Sequence, residues 1–246
     1  MALTRAEAVR RLAVALDTSE RGEILRLGRA LRGRVGVAKV GLEAFTAHGP
    51  ALVAEVGELG MPVFLDLKLH DIPNTVERAA RNAARLGVAM LTVHASGGEA
   101  MLRAAVAAKA STILIGVTVL TSDAAPVDSV VEAARLGQRC RLDGVVASAR
   151  EAAAIKTACG RDFVIVAPGI RPGAVAGDDQ ARTAGPAEAV RAGADYLVVG
   201  RPITRSAAPL MMARAILEEI DRETVRIGEM PREGRTKVVG LPKSFD

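Results

Sequence analysis

Eight short apolar runs alternate with eight amphipathic or alanine-rich segments along this chain, and that order leaves few folds open. Strand candidates at 12–17, 35–41, 62–68, 90–95, 112–120, 144–148, 163–168 and 196–200 are separated by helical patterns at about 20–32, 43–59, 74–86, 98–109, 127–139, 149–158, 186–193 and 206–226. Strands that run almost continuously in Val, Ile and Leu are buried on both faces, as in a parallel sheet covered by crossover helices. Eight such units argue for closure into a single-domain (β/α)8 TIM barrel rather than an open sheet, and 246 residues suit one such barrel. The expected division is a barrel over 1–227 and a C-terminal tail over 228–246, where Gly, Pro and charges appear with little periodicity. Gly33, Gly60, Gly87, Gly137, Gly160 and Gly193 fall close after helical runs, where a left-handed C-terminal residue is wanted.

Composition narrows the function classes. Hydrophobic residues make up 50% of the chain but aromatics only 2%, so the core must be built from Ala, Val, Leu and Ile. A net charge of +5 invites a nucleic-acid reading. The arginines are spread over helical segments, however, and almost no aromatic surface is available for base stacking, so no nucleic-acid partner is expected. A modest positive field instead favours an anionic small molecule. Cys140 and Cys159 have no metal-ligand spacing, and no apolar run is long enough for a signal peptide or a membrane span. These features point to a cytoplasmic protein with free thiols and no membrane association.

The segment Phe64-Leu65-Asp66-Leu67-Lys68-Leu69-His70-Asp71-Ile72-Pro73-Asn74-Thr75 places charges at the end of an apolar strand. Side chains repeat every second residue along a strand, so Asp66 and Lys68 share a face and an acid is held beside an amine. Pro73 reads as an early position of the helix that follows. Other polar residues also gather where strands end, at Asp17, Lys39, His94, Thr121-Ser122, Arg171 and Gly200-Arg201. Strand C-termini and their following loops form the catalytic face of such barrels. Residues 171–185 are polar, glycine-containing and longer than an ordinary connection, which suits a lid.

The pattern D-x-K-x-x-D-I-P-N-T resembles the signature of the orotidine 5′-phosphate decarboxylase family, and the resemblance extends from Leu12-Ala13-Val14-Ala15-Leu16-Asp17 to Val198-Val199-Gly200-Arg201-Pro202-Ile203. It implies decarboxylation of orotidine 5′-phosphate to uridine 5′-phosphate in pyrimidine biosynthesis, without a metal or organic cofactor. Lys68 would protonate C6 of the pyrimidine as carbon dioxide leaves. Asp66 would stand against the substrate carboxylate, and Lys39 and Asp71 would complete an alternating array of charges. The resemblance also implies a homodimer in which Asp71 and Thr75 reach the partner's site. Asp17 and Lys39 would hold ribose hydroxyls, Thr121 and Ser122 the pyrimidine, and Arg171, Gln180, Gly200 and Arg201 the phosphate. Magnesium-dependent relatives such as sugar-phosphate aldolases share the D-x-K element but are not expected to follow it with D-I-P-N-T. A non-catalytic nucleotide-binding barrel would not need a carboxylate beside the substrate acid.

Overall fold

The computed structural model describes residues 5–119, 125–173 and 183–229. Its strands are β1 (Leu12–Ala15), β2 (Val37–Gly41), β3 (Val63–Leu69), β4 (Met90–His94), β5 (Ile113–Val117), β6 (Gly144–Val146), β7 (Val164–Ala167) and β8 (Tyr196–Val199). All pair in parallel in sequence order, and β1 pairs with β8 to close the barrel. The expected strands are therefore present, most of them trimmed by one to three residues and β3 running on to Leu69. The fold is a (β/α)8 TIM barrel.

Helices α2 (Arg21–Leu31), α3 (Leu42–Glu58), α4 (Pro73–Arg85), α5 (Gly98–Ala108), α6 (Val127–Arg139), α7 (Ala149–Cys159), α8 (Pro186–Ala192) and α10 (Pro209–Glu229) match the eight helical patterns. Three features were not anticipated. Helix α1 (Arg5–Arg11) precedes the first strand, and the short α9 (Arg201–Thr204) follows β8. In α3, Gly49 is non-helical with φ 62° because Pro50 follows it, lacking an N–H and crowding the residue before it.

One expectation for the helix ends needs correction. Gly33, Gly60, Gly87, Gly160 and Gly193 do take positive φ, but Gly137 lies inside α6 and the left-handed residue beyond that helix is Arg141. Gly137 serves packing instead, since a Cβ there would meet Leu142 Cδ1 at 3.0 Å.

Two layers of apolar packing hold the barrel. Inside it, Ala13, Ala15, Val37, Phe64, Met90, Ile113, Ile115, Val164, Val166, Tyr196 and Val198 form one cluster. A larger cluster fills the space between the strands' outer face and the helices. At the N-terminal mouth the buried Arg11 guanidinium donates to the Ala194 carbonyl at 3.1 Å, fastening α1 beneath β8. No helix among the described residues is long and apolar enough to cross a membrane.

Candidate active site

The charged site is the next layer of the barrel interior. Ala15, Val37, Phe64 and Met90 face inward, so side chains two residues on face the same way, nearer the C-terminal mouth. Those positions are Asp17, Lys39, Asp66 and Thr92. On the other half of the wall the corresponding layer is apolar, with Val117, Val146, Val166 and Val198 lining the cavity. The result is a cavity of about 420 Å³ whose strand residues are charged on the β1–β3 side and aliphatic on the β5–β8 side, with arginines from the segments after β7 and β8.

Lys39 Nζ donates to Asp17 Oδ1 at 2.9 Å and lies 3.5 Å from Asp66 Oδ2. Lys68 Nζ donates to that same Oδ2 at 2.9 Å. Asp66 is thus shared by two ammonium groups, and Asp17, Lys39, Asp66 and Lys68 form a chain of alternating charges. Lys39 and Asp66 are 8% and 9% exposed, which makes the alternation necessary: an unpaired charge at that depth would carry a large desolvation cost. Burial pushes the Asp66 carboxyl up, but Lys39, Lys68 and the hydrogen bonds from Lys68 and Thr92 outweigh it and hold the group below its ordinary value.

Lys68 reaches this place through an irregular backbone. The β3–β4 register runs Leu65↔Leu91 and then Leu69↔Val93, so β3 bulges between them. Lys68 sits in the bulge at φ +51°, a left-handed conformation that costs a non-glycine residue on the order of 1–2 kcal/mol. Bulges re-aim side chains beside functional sites, and here the re-aimed group is the ammonium. Sequence periodicity correctly put Asp66 and Lys68 on one face but gave no sign of the bulge.

The far end of the cavity is formed by Arg171, Gly200, Arg201, Thr204 and Arg205. Arg171 is buried, and its backbone N–H donates to the Ala184 carbonyl at 3.0 Å. That bond, with the Ile170↔Ala184 bridge, ties together the two ends of the segment expected to be a lid. Its middle, 174–182, lies outside the described residues, as do Gln180, Thr121, Ser122 and the tail from 230 onward.

Asp71 and Thr75 do not join this array within one chain. Asp71 Oδ1 accepts from the Ile72 N–H at 2.6 Å at the entry to α4, and Asp71, Ile72 and Thr75 are all exposed. His94 stacks on His70 with ring centroids 5.4 Å apart, and burial followed by nearby His70 and Lys68 lowers its pKa. Neither histidine lines the cavity.

Besides Thr204 and Arg205 in the cavity wall, two residues that shape the site escaped the sequence analysis. Thr92 is a buried hydroxyl between Asp66 and Lys68, and counting by two from Met90 would have flagged it as a polar group facing inward. Gly41 leaves the room in which Asp17 meets Lys39: a Cβ there would lie 2.7 Å from Asp17 Oδ1 and 3.1 Å from Lys39 Nζ. No local pattern signals that requirement, because it arises from a contact between strands.

Comparison with known proteins identifies the family. The model of the orotidine 5′-phosphate decarboxylase / HUMPS family matches residues 10–216. The chain belongs to this family. A relative in Nitratidesulfovibrio vulgaris, named orotidine 5′-phosphate decarboxylase, is 50% identical over 244 residues, covering 85% of this chain and 98% of the relative. One of the same name in Anaeromyxobacter dehalogenans is 50% identical over 218 residues, covering 84% and 96%. The crystal structure of orotidine 5′-phosphate decarboxylase from Lactobacillus acidophilus superposes with a TM-score of 0.75 at 33% identity, covering 86% of this chain and 99% of that one. Membership makes the protein an enzyme of the carboxy-lyase class.

Proposed function

We propose that this protein converts orotidine 5′-phosphate to uridine 5′-phosphate and carbon dioxide with its own charged side chains, using neither a metal nor an organic cofactor. The observation that carries the proposal is Asp66 Oδ2, held 2.9 Å from Lys68 Nζ and 3.5 Å from Lys39 Nζ on the wall of a cavity whose far end presents Arg171 and Arg201. Cations at that end suit a phosphate, with guanidinium forks matching its oxygens. Aliphatic residues opposite the charges suit the face of a pyrimidine. The exposed carboxylate of Asp17 suits a ribose diol as acceptor.

In this scheme the substrate carboxylate lies against ionised Asp66. Two like charges about 4 Å apart repel by about 4 kcal/mol at an effective dielectric of 20, and relieving that repulsion as carbon dioxide leaves is worth about three decades in rate. The C6–carboxylate bond breaks and its electron pair stays on C6. Lys68 Nζ, the nearer of the two ammonium groups to Asp66 Oδ2, stabilises the developing carbanion and delivers a proton to C6. Its neutral amine regains a proton from solvent.

Homodimerisation, with Asp71 and Thr75 completing the partner's site, belongs to the same proposal. Their exposure, next to Ile72 at 65% exposure, fits a surface that a second subunit covers. Residence in the cytoplasm fits two buried, unpaired cysteines.

The deciding assay follows loss of the orotate chromophore with orotidine 5′-phosphate in the presence of a chelator. Turnover should be undiminished. Abolition by chelator and rescue by magnesium would favour a metal-dependent relative of the family. Tight binding without turnover would make the barrel a nucleotide-binding module.

A further inference from the structure

One hydroxyl outside the cavity lining joins the Asp66 carboxylate to the Lys68 backbone. Between the pairs Leu65↔Leu91 and Leu69↔Val93, β3 supplies Asp66, Leu67 and Lys68 where β4 supplies Thr92 alone. Thr92 is 0% exposed. Its Oγ1 accepts from the Lys68 backbone N–H at 2.8 Å and donates to Asp66 Oδ1 at 2.9 Å. A hydroxyl has a single hydrogen, so donation to Asp66 leaves a lone pair for the Lys68 amide and the direction of both bonds is set. The bulge carries that amide away from the backbone ladder, and Thr92 is the acceptor that replaces the lost carbonyl. With Oδ1 engaged, Oδ2 is the oxygen turned toward Lys68 and Lys39.

Resting on the decarboxylase assignment, we propose that Thr92 is a positioning residue for proton delivery. Its hydroxyl fixes together the Asp66 carboxylate that holds the Lys68 ammonium and the left-handed Lys68 backbone that carries it. Thr92 does not line the cavity, so it acts through these two residues and not on the substrate. If Thr92 served packing alone, its methyl group and volume would matter and its hydroxyl would not.

Thr92→Val keeps the shape and removes the hydroxyl, whereas Thr92→Ser keeps the hydroxyl and removes the methyl. For Thr92→Val, kcat should fall by about 10- to 100-fold, the scale expected for a misplaced catalytic group, while KM and uridine 5′-phosphate binding stay within about threefold. The acid limb of its kcat–pH profile should also move to higher pH, because Asp66 loses a hydrogen bond to its charged form. Thr92→Ser should keep kcat within about threefold of the parent. A Thr92→Val enzyme with kcat inside that margin, or a Thr92→Ser enzyme that falls equally far, would overturn the proposal. If circular dichroism shows Thr92→Val unfolded, Thr92→Ala is judged by the same thresholds. A parent protein that does not turn over orotidine 5′-phosphate would instead remove the decarboxylase assignment, and the role of Thr92 with it.

Discussion

Asp66 is the residue on which the others depend, because one carboxylate faces two ammonium groups and a hydroxyl in a largely buried layer of the barrel. Breaking a buried pair by removing one partner costs about 3–5 kcal/mol, since the remaining charge is left without compensation. Asp66→Asn should therefore destabilise the protein by about that amount at pH 7 while abolishing most turnover. The deficit should also depend on pH with a definite sign. Burial opposes ionisation of Asp66, but its partners outweigh burial and hold the folded-state value below the ordinary 3.8. The carboxylate's stabilisation is then fully present above that ordinary value and is lost as pH falls through the lower folded value. Denaturant unfolding of parent and Asp66→Asn should show a gap that is wide at pH 7 and narrows below about pH 4. A gap that stays constant into acid would mean that ionised Asp66 is not what the site stabilises.

At the scale of elements, Gly36 just before β2 and Gly41 at its end do different work. A Cβ on Gly36 would meet backbone atoms of α1, with Arg10 Cα at 2.6 Å and the Val9 carbonyl at 2.7 Å, so the helix would have to withdraw. A Cβ on Gly41 would meet the ends of flexible side chains, Asp17 and Lys39, which can swing aside. Gly36→Ala should thus cost about 1–3 kcal/mol, a Tm drop of about 2–12 °C, with kcat unchanged. Gly41→Ala should leave Tm within about 2 °C and raise KM about tenfold, because the Asp17–Lys39 contact is displaced from the ribose end. The opposite pattern in thermal melts and steady-state kinetics would disprove this division. The same elements show what the sequence could reveal. Strands buried on both faces write themselves as apolar runs, and Pro73 marks the start of α4 as expected. Period-two spacing likewise paired Asp66 with Lys68. By contrast, α1 is a charge-dense stretch of seven residues whose place is set by docking under the barrel. The β3 bulge and the need for Gly41 come from neighbouring strands, which are remote in sequence and leave no local trace.

For the whole molecule, the open question is whether one chain makes a complete site. Within a single subunit Lys39, Asp66 and Lys68 converge, while Asp71 stands exposed and bonded only to the Ile72 amide among the described residues. The proposed homodimer resolves this by bringing Asp71 across a two-fold axis into the partner's cavity, where it would extend the alternation of charge beyond Lys68. Lys68→Ala and Asp71→Ala homodimers should then each be nearly inactive, the first for want of a proton donor and the second for want of the carboxylate beyond Lys68. In a mixed dimer the two lesions fall in the same site, which leaves the other site intact. Random reassortment makes half of the dimers mixed, each with one of two sites restored, so activity should recover to about a quarter of normal by symmetry. If Asp71 served its own subunit's site, every site would keep one lesion and mixing would restore nothing. Differently tagged subunits, shown to exchange by co-purification, separate the outcomes: recovery near a quarter supports the shared site, and a flat result with exchange confirmed refutes the crossing of Asp71 while leaving the decarboxylase assignment in place.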